Sequence, residues 1–422
     1  MSTHLRTARC LEALGLWALL GASALPAQTI AITGGTVVTV SGARIPNGTV
    51  LIRDSLIAAV GANVAIPANA TRVDATGSIV TPGLINAGAQ VGLVEISLGT
   101  GTQEQHVRRD VAASFDVAEG LNPASVLIPV TRIEGVTSAL LIPDGNFVAG
   151  QSVFADFAGN TIEEMIARNP VAMHVTLDEN DRAAGEGSRA GALERLRQLL
   201  DDAREYQRRR NDFQRAQMQT LSAPAAELEA LQPVLAGRMP LVVTANRVFD
   251  IRNALRLAHE YNLRVILSGA AEAWEIADEI ARARVPVLVV PLSNIPSFNA
   301  LGARYENPAR LAAAGVPVAI VSGDGIHNAR LIRQEAGNAV SYGMEYDAAL
   351  RAVTLAPAQI LGLQDRYGSL EAGKIANVVV WSGDPFEFST AVQHVYIRGH
   401  EIPLTSRQTE LLERYRTLPP RY

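Results

Sequence analysis

Hydrophobic residues at both ends of the chain occur in short runs that are separated by turn residues. Across residues 30–80 these runs are rich in Val, Ile and Thr, and glycine and asparagine stand between them. The same pattern returns across residues 368–402. β-Branched runs of this length, bounded by turn residues, are typical of a small antiparallel sheet. We therefore predict one β-sandwich domain that combines residues 29–80 with residues 357–405.

The middle of the chain follows a different pattern, in which uninterrupted hydrophobic runs alternate with helical stretches. The runs are GLINAGAQ, VTSALLIP, QSVFADF, VAMHVTL, LVVTAN, RVILSG, VPVLVVPL and VPVAIVSG. Strands without alternation, each followed by an amphipathic helix, predict a parallel sheet that is buried on both faces. Eight such strands over roughly 250 residues match the size of a (β/α)8 barrel. We assign this barrel to residues 81–356.

A charged helical segment interrupts the barrel pattern between the fourth and fifth predicted strands. Leu193, Leu196 and Leu200 recur at three- and four-residue spacing, which is the pattern of one buried helix face. Pro224 then precedes a second helical run, AAELEAL, and proline is favoured at such a start. We predict a helical insert over residues 188–235. We assign residues 406–422 to a C-terminal tail.

The start of the chain has the pattern of a secretory signal. Arg6 and Arg9 precede the apolar run ALGLWALLGASAL, and small residues that suit cleavage lie in and after that run. We therefore expect a signal peptide over residues 1–28 and an exported protein, periplasmic or secreted, with no membrane span after cleavage. The single cysteine, Cys10, lies within this segment, so the rest of the chain offers no thiolate or disulfide chemistry.

Composition and charge narrow the classes of partner. The chain is 48% hydrophobic and 19% charged, which is ordinary for a globular protein. Its net charge of −5 gives no reason to expect binding to nucleic acid or to an anionic membrane. The expected partners are a small polar molecule and another protein chain, either a further copy in a homo-oligomer or an intact homologue in a hetero-oligomer.

Four segments, taken together, resemble the amidohydrolase superfamily. They are GGTVVTVSG at residues 34–42, VDATGSIVTPGLIN at 73–86, EGVTSALLIP at 134–143 and TLAPAQILGLQDRYGSLEAGKIANVVVW at 354–381. Within the superfamily the chain looks like the imidazolonepropionase-like branch of exported proteins. The resemblance implies a (β/α)8 TIM-like barrel with a small β-sandwich domain built from both termini.

The resemblance also implies a hydrolase that acts on carbon–nitrogen bonds, in peptide or non-peptide amides, with zinc or another divalent metal. Such a site lies at the C-terminal ends of the barrel strands. Imidazole and carboxylate side chains hold the metal, and an open position holds a water molecule. The metal lowers the pKa of that water, and an aspartate accepts its proton as it attacks the amide.

The positions that carry the family's metal ligands hold other residues in this chain. The resemblance places the histidine pair of the first strand on Gly88 and Gln90. It places the histidines of the fifth and sixth strands on Thr244 and Ser268, and retains only the eighth-strand aspartate, as Asp324. Glycine has no donor side chain, and the other three are weak neutral donors beside imidazole. We predict that the metal cage is lost, and these residues predict no cofactor.

Two histidines and one amide remain as candidates for a different site at the barrel mouth. His174 lies in the fourth predicted strand and Asn246 ends the fifth. His327 follows Asp324 by three residues. A new cage of His174, His327 and Asp324 is one alternative, although no local spacing motif supports it. A histidine packed and hydrogen-bonded inside the barrel is the simpler explanation of His174. Asp324 is explained more simply as the cap of the turn that begins at Gly325.

Two functions from different classes follow from these patterns. The first is an amidohydrolase-family hydrolase whose metal-dependent catalysis is absent or strongly altered. The second is a non-catalytic barrel, a pseudoenzyme, that binds a ligand at the strand ends or supports an intact homologue as a partner subunit. Because one fold carries many functions, the residues of the site decide between them.

Overall fold

The computed structural model describes most of the chain after the predicted signal peptide. The described residues are 28–145, 147–177, 187–215, 217, 219–323 and 326–417. Almost all of the predicted signal peptide lies outside them, as do Asp324, Gly325 and the last five residues of the predicted tail. None of the described helices is both long enough and apolar enough to cross a lipid bilayer.

One sheet combines strands from both ends of the chain. Its strands are β1 (Thr29–Val37), β2 (Ile45–Arg53), β3 (Leu56–Gly61), β4 (Thr71–Asp74), β5 (Ile79–Pro82), β14 (Val378–Trp381), β15 (Val392–Ile397) and β16 (His400–Glu401). The order is β16-β15-β14-β5-β1-β2-β3, and β4 also pairs with β1. The antiparallel pair β5–β14, with Thr81 opposite Val379, joins the two halves. Because β1 pairs in parallel with β4 and β5, the sheet is mixed where we predicted antiparallel pairing.

The second sheet is a TIM-like barrel that is nearly closed. Its strands are β6 (Leu84–Ala89), β7 (Val136–Leu141), β8 (Val148–Asp156), β9 (Ile166–Thr176), β10 (Leu241–Ala245), β11 (Val265–Gly269), β12 (Val287–Val289) and β13 (Val318–Ile320). They follow one another around the sheet in chain order. Across the seam between β6 and β13, the amide of Asn86 donates to Ser322 Oγ at 2.8 Å. All eight predicted runs therefore form barrel strands.

The third barrel strand runs against the other seven, which corrects the prediction of an all-parallel sheet. β8 pairs antiparallel with both β7 and β9. Only residues 142–147 separate β7 from β8, and a parallel return needs a crossover of about a dozen residues or more. A short link between two strands therefore makes a hairpin. The burial of β8 on both faces hid this reversal, because its hydrophobic run looks the same in either direction.

The helices pack mainly around the barrel. They are α1 (Leu127–Arg132), α2 (Ile162–Met165), α3 (Arg189–Arg208), α4 (Arg210–Gln214), α5 (Ala225–Ala230), α6 (Gln232–Leu235), α7 (Val248–Tyr261), α8 (Ala277–Ala283), α9 (Asn307–Ala313), α10 (Ile332–Ser341), α11 (Tyr346–Ala352), α12 (Leu355–Ile360) and α13 (Arg407–Tyr415). The insert begins where Ser188 Oγ accepts a hydrogen bond from the Gly191 amide, which caps α3. The leucines of α3 face the common core.

A buried polar cluster closes the N-terminal end of the barrel and ties it to the other sheet. Asp156, at the end of β8, is fully buried and accepts hydrogen bonds from Ser138, Tyr367, Asn377 and Arg398. The Tyr367 ring also packs edge-on against Phe154, with ring centroids 5.1 Å apart. Residues 358–367, which we assigned to the sheet domain, thus pack against the inside of the barrel. Because this cluster closes the N-terminal end of the barrel, the open end is the one at the C-terminal ends of most strands.

Candidate functional site

The open end of the barrel contains a cavity of about 550 Å³. Its wall includes Gly88 and Gln90 at the end of β6, Thr244 on β10 and Ser268 on β11. The four positions on which the resemblance places the family's histidines therefore line one cavity. They lie together because neighbouring strands are in register, with Thr244 directly opposite Ser268.

The charge of this cavity is low. Among the lining side chains that the structure describes, only Asp144 and His174 can carry a charge. Asp144 is exposed at the rim, where its carboxylate accepts a hydrogen bond from the Gly145 amide. The remaining polar lining consists of hydroxyl and amide side chains: Gln90, Thr176, Thr244, Asn246, Ser268, Ser293, Asn294 and Ser322. The cavity is polar but almost uncharged within the described part of the chain.

His174 on β9 contributes to the lining of the cavity. It lies opposite Val242 of β10, one step further into the barrel than Thr176, which lies opposite Thr244. Only 8% of His174 is exposed, and its Nε2 has no hydrogen-bond partner among the described residues. Burial lowers the pKa of His174 to about 3, so the imidazole is neutral at physiological pH. A neutral ring can donate or accept at Nε2, depending on its tautomer.

A turn at Gly269 positions Asn246 at the rim of the cavity. Gly269 follows Ser268 with a φ of +76°, a conformation that L side chains rarely adopt. A Cβ at Gly269 would lie 2.5 Å from Asn246 Oδ1, so the glycine allows the amide to pack directly over the turn. Asn246 Oδ1 also accepts a hydrogen bond from the Ala271 amide at 3.4 Å. The predicted pocket residue Asn246 is therefore part of the cavity wall.

Two buried residues hold the cavity rim, and sequence reasoning missed the role of one of them, Glu335. Glu335 on α10 is only 3% exposed, and its carboxylate accepts hydrogen bonds from the amides of Leu292 and Gly323 at 2.7 and 3.2 Å. Burial raises the pKa of Glu335, and these two donors oppose the rise. Asn86 bridges the seam and also accepts from the Gly88 amide at 3.2 Å. No sequence signal marked Glu335, because it looks like an ordinary helix position.

The structure does not bring His327 to the cavity wall. His327 is exposed on a 3₁₀ turn at Ile326–Leu331, and Ala329 of the same turn lines the cavity instead. Asp324 lies outside the described residues, so its predicted role stays a prediction. Within the described part of the chain, no group of three or more His, Cys, Asp or Glu side chains is arranged to hold a metal ion.

The donor chemistry of these residues does not fit the family's metal. Catalytic zinc is commonly held by three protein ligands, chiefly imidazole, thiolate and carboxylate. At the four family positions the cavity presents a glycine, an amide and two hydroxyl groups. His174 belongs to no group of three such side chains among the described residues.

Comparison with known proteins agrees with the fold and with the sequence resemblance. The model of the amidohydrolase family matches residues 272–402. The amidohydrolase tasK of Hapsidospora irregularis is 26% identical over 388 residues, which is 83% of this chain and 39% of that protein. This chain thus spans about two fifths of the length of that curated relative.

Solved structures show the same architecture. An amidohydrolase from Thermotoga maritima superposes with a TM-score of 0.82 at 29% identity, covering 90% of this chain and all of that one. Molinate hydrolase superposes with a TM-score of 0.57 at 19% identity, covering 90% of this chain and 95% of that one, which is a likeness of fold alone. The family model, the curated relative and the Thermotoga maritima structure together support the amidohydrolase superfamily for this chain.

Proposed function

We propose that this chain binds a small polar molecule in the cavity at the strand ends, and that the metal-assisted hydrolysis of its superfamily is absent or strongly reduced in it. One observation carries the proposal. Gly88, Gln90, Thr244 and Ser268 line a single cavity, and none of them supplies an imidazole or a carboxylate. As a hydrolase of carbon–nitrogen bonds, the chain would need another way to activate water.

The cavity suits a binding function. Ligand sites commonly enclose about 300–1,000 Å³ and combine apolar walls with a few polar groups, and this cavity has that size and composition. The rim is also held in place, because Glu335 ties the loops after β12 and β13 through their backbone amides. A rim fixed by buried hydrogen bonds keeps its polar groups in position before the ligand arrives.

Metal analysis of the purified protein tests the loss of metal chemistry directly. We expect less than one metal ion per chain after dialysis, and no turnover of an amide substrate panel that depends on added zinc. Stoichiometric zinc that survives dialysis, or turnover that a chelator removes, would contradict the proposal. Both measurements use the chain as isolated, without refolding.

A variant that rebuilds the family pattern supplies the control. It combines Gly88→His, Gln90→His, Thr244→His and Ser268→His. A Cβ at Gly88 would meet Val321 at 3.4 Å, an ordinary packing distance, so a side chain can begin at this position without a clash at Cβ. This variant should bind zinc under conditions in which the natural chain does not. If both bind zinc equally, the four positions do not determine metal binding.

A supporting role beside an intact homologue is the second candidate, and exposed apolar side chains favour it. Leu98, Phe249, Phe298 and Leu301 all follow barrel strands at the open end, and each is more than 60% exposed. Such side chains mark protein contacts when they form a patch. Size-exclusion chromatography of the chain with an intact homologue tests this role at micromolar concentration. Separate elution of the two proteins would remove it.

A further inference from the structure

Three hydroxyl side chains stand next to one another on the cavity wall. Thr176 of β9 lies directly opposite Thr244 of β10, and Thr244 lies directly opposite Ser268 of β11. All three line the cavity, and each is partly exposed. Neighbouring strands of a sheet lie about 4.8 Å apart, so the three side chains follow one another at about that spacing. We call these three residues the hydroxyl row.

The alternation of side chains along the strands turns the hydroxyl row toward the cavity. The residues one step before it, Val175, Val243 and Leu267, pack outward into the main core. Successive side chains of a strand point to opposite faces, so the row points into the barrel. Among the residues that the structure describes, no hydrogen bond uses any of the three hydroxyl groups. The row therefore offers donors and acceptors that the described part of the fold does not use.

We infer that the ligand of this cavity is a polyhydroxylated six-membered ring, of the size of one monosaccharide, whose hydroxyl groups bind between the members of the hydroxyl row. This inference rests on the proposed function, since it names the class of ligand for the same cavity. It makes Thr244, at the centre of the row, the main specificity-determining residue.

The spacing of the row fits ligand hydroxyl groups. A ligand oxygen that lies about 2.8 Å from each of two row oxygens about 4.8 Å apart makes its two hydrogen bonds at an angle of about 120°. A hydroxyl group can donate to one neighbour and accept from the other at such an angle. The row has two such gaps, which are again about 4.8 Å apart. Alternate equatorial hydroxyl groups of a six-membered sugar ring have nearly this separation.

The rest of the wall suits the apolar faces of such a ring. The strand pairing continues from Ser268 to Leu288 of β12, which also lines the cavity. Val290 and Val321 are further aliphatic residues of the lining. A sugar ring has hydroxyl groups around its edge and C–H groups on its faces, so it can bind the row and pack against aliphatic side chains together. The cavity of about 550 Å³ has room for one ring.

Three small neutral probes test the inference. The first is scyllo-inositol, a six-membered ring whose hydroxyl groups are all equatorial. The second is cyclohexanol, which has one hydroxyl group on the same kind of ring, and the third is N-acetylglycinamide, which is polar without hydroxyl groups. Calorimetry or ligand-observed NMR measures binding at pH 7. We expect scyllo-inositol to bind at millimolar concentration and at least about tenfold more tightly than the other two, because it forms several hydrogen bonds with the row.

Variants that each remove one hydroxyl group test the order of the row. They are Thr176→Val, Thr244→Val and Ser268→Ala, and the control is Thr71→Val, at an exposed threonine of β4 in the other sheet. Thr244 borders both gaps, whereas each outer residue borders one. One hydrogen bond contributes a factor of about five, so Thr244→Val should weaken scyllo-inositol binding by about tenfold or more and each outer variant by about fivefold. The control should bind as the natural chain does. Circular dichroism and thermal midpoints check that each variant is folded.

A variant that fills the cavity, Ser268→Trp, separates the inference from the proposed function. Suppose that it abolishes binding of a probe, but Thr244→Val leaves scyllo-inositol binding unchanged or only N-acetylglycinamide binds. The cavity then binds small polar molecules without selecting them through the row, so the inference is overturned and the proposed function stands. If no probe binds, or if Ser268→Trp leaves all binding unchanged, the proposed function falls with the inference.

Discussion

The buried imidazole of His174 makes a quantitative prediction about stability and pH. The folded-state pKa is about 3, because burial disfavours the charged ring, and the ordinary value is 6.5. Between these values the unfolded chain binds a proton that the folded chain excludes. Lowering the pH therefore stabilises the unfolded state, and the free energy of unfolding falls as the pH falls.

The size of the effect follows from the same two values. Each pH unit between them changes the free energy of unfolding by about 1.4 kcal/mol per excluded proton. The unfolded histidine is only partly protonated at neutral pH, so the change from pH 7 to pH 5 comes to about 2 kcal/mol. Other titrating groups contribute to the total, and a variant must isolate the share of His174.

Chemical denaturation of the protein and of His174→Gln at both pH values isolates this share. The variant is expected to be less sensitive to the change by about 2 kcal/mol, because glutamine does not titrate. His259→Gln serves as the control, because His259 is exposed on α7 and should keep the full pH dependence of the natural chain. If His174→Gln and the natural chain lose the same stability between pH 7 and pH 5, the imidazole titrates when folded and the argument fails.

Three further predictions concern the parts that support the cavity. Asp156→Ala should lower the free energy of unfolding by about 3 kcal/mol or more, because it leaves the partly buried Arg398 without its carboxylate partner. Tyr367→Phe removes one hydrogen bond to Asp156 and should lower it by about 1 kcal/mol. Urea titration compares the two variants, and equal losses would contradict the central role of Asp156 in this cluster. Gly135→Ala should destabilise by about 1–3 kcal/mol more than Gly315→Ala. Both glycines have a positive φ, but a Cβ at Gly135 would lie 2.3 Å from the fully buried indole of Trp381, whereas a Cβ at Gly315 would meet nothing within 4 Å. Equal shifts of the thermal midpoint in the two variants would refute this reason. Glu335→Ala should lower the free energy of unfolding by about 2 kcal/mol, because the amides of Leu292 and Gly323 lose their acceptor. Hydrogen exchange at these two amides should also become faster, and unchanged exchange would contradict the role of Glu335 at the rim.

The number and order of the barrel strands could be predicted from the sequence, but the direction of one strand could not. Each of the eight hydrophobic runs became a strand because burial on both faces leaves a continuous apolar run. Burial alone carries no direction. β8 is as hydrophobic as its neighbours, and its reversal follows from the short connection at residues 142–147. The short length of that connection is the feature of the sequence that indicates the reversal of β8.

Some residues of the candidate site could likewise be predicted from the sequence, and others could not. Gly88, Gln90, Thr244 and Ser268 could be placed together from the sequence, because strand ends in a barrel converge. His327 could not be placed, since it lies on a turn beyond the last strand, where one residue faces the cavity and another faces solvent. Glu335 could not be recognised either. Its partners are backbone amides of distant loops, and backbone donors leave no pattern in the sequence.

The fold and the chemistry of this chain are set by different residues. The barrel wall is held by backbone pairing and by side chains such as Val243 and Leu267, which pack outward into the main core. Thr244 and Ser268 face the cavity instead and are only partly buried. A side chain at such a position contributes little packing, so histidine, threonine or serine can stand there with nearly the same barrel around it. The resemblance that identifies the superfamily therefore extends through the sheet and the core without requiring a metal cage. The cavity that remains offers hydroxyl and amide groups and one neutral imidazole, and its function follows from those groups.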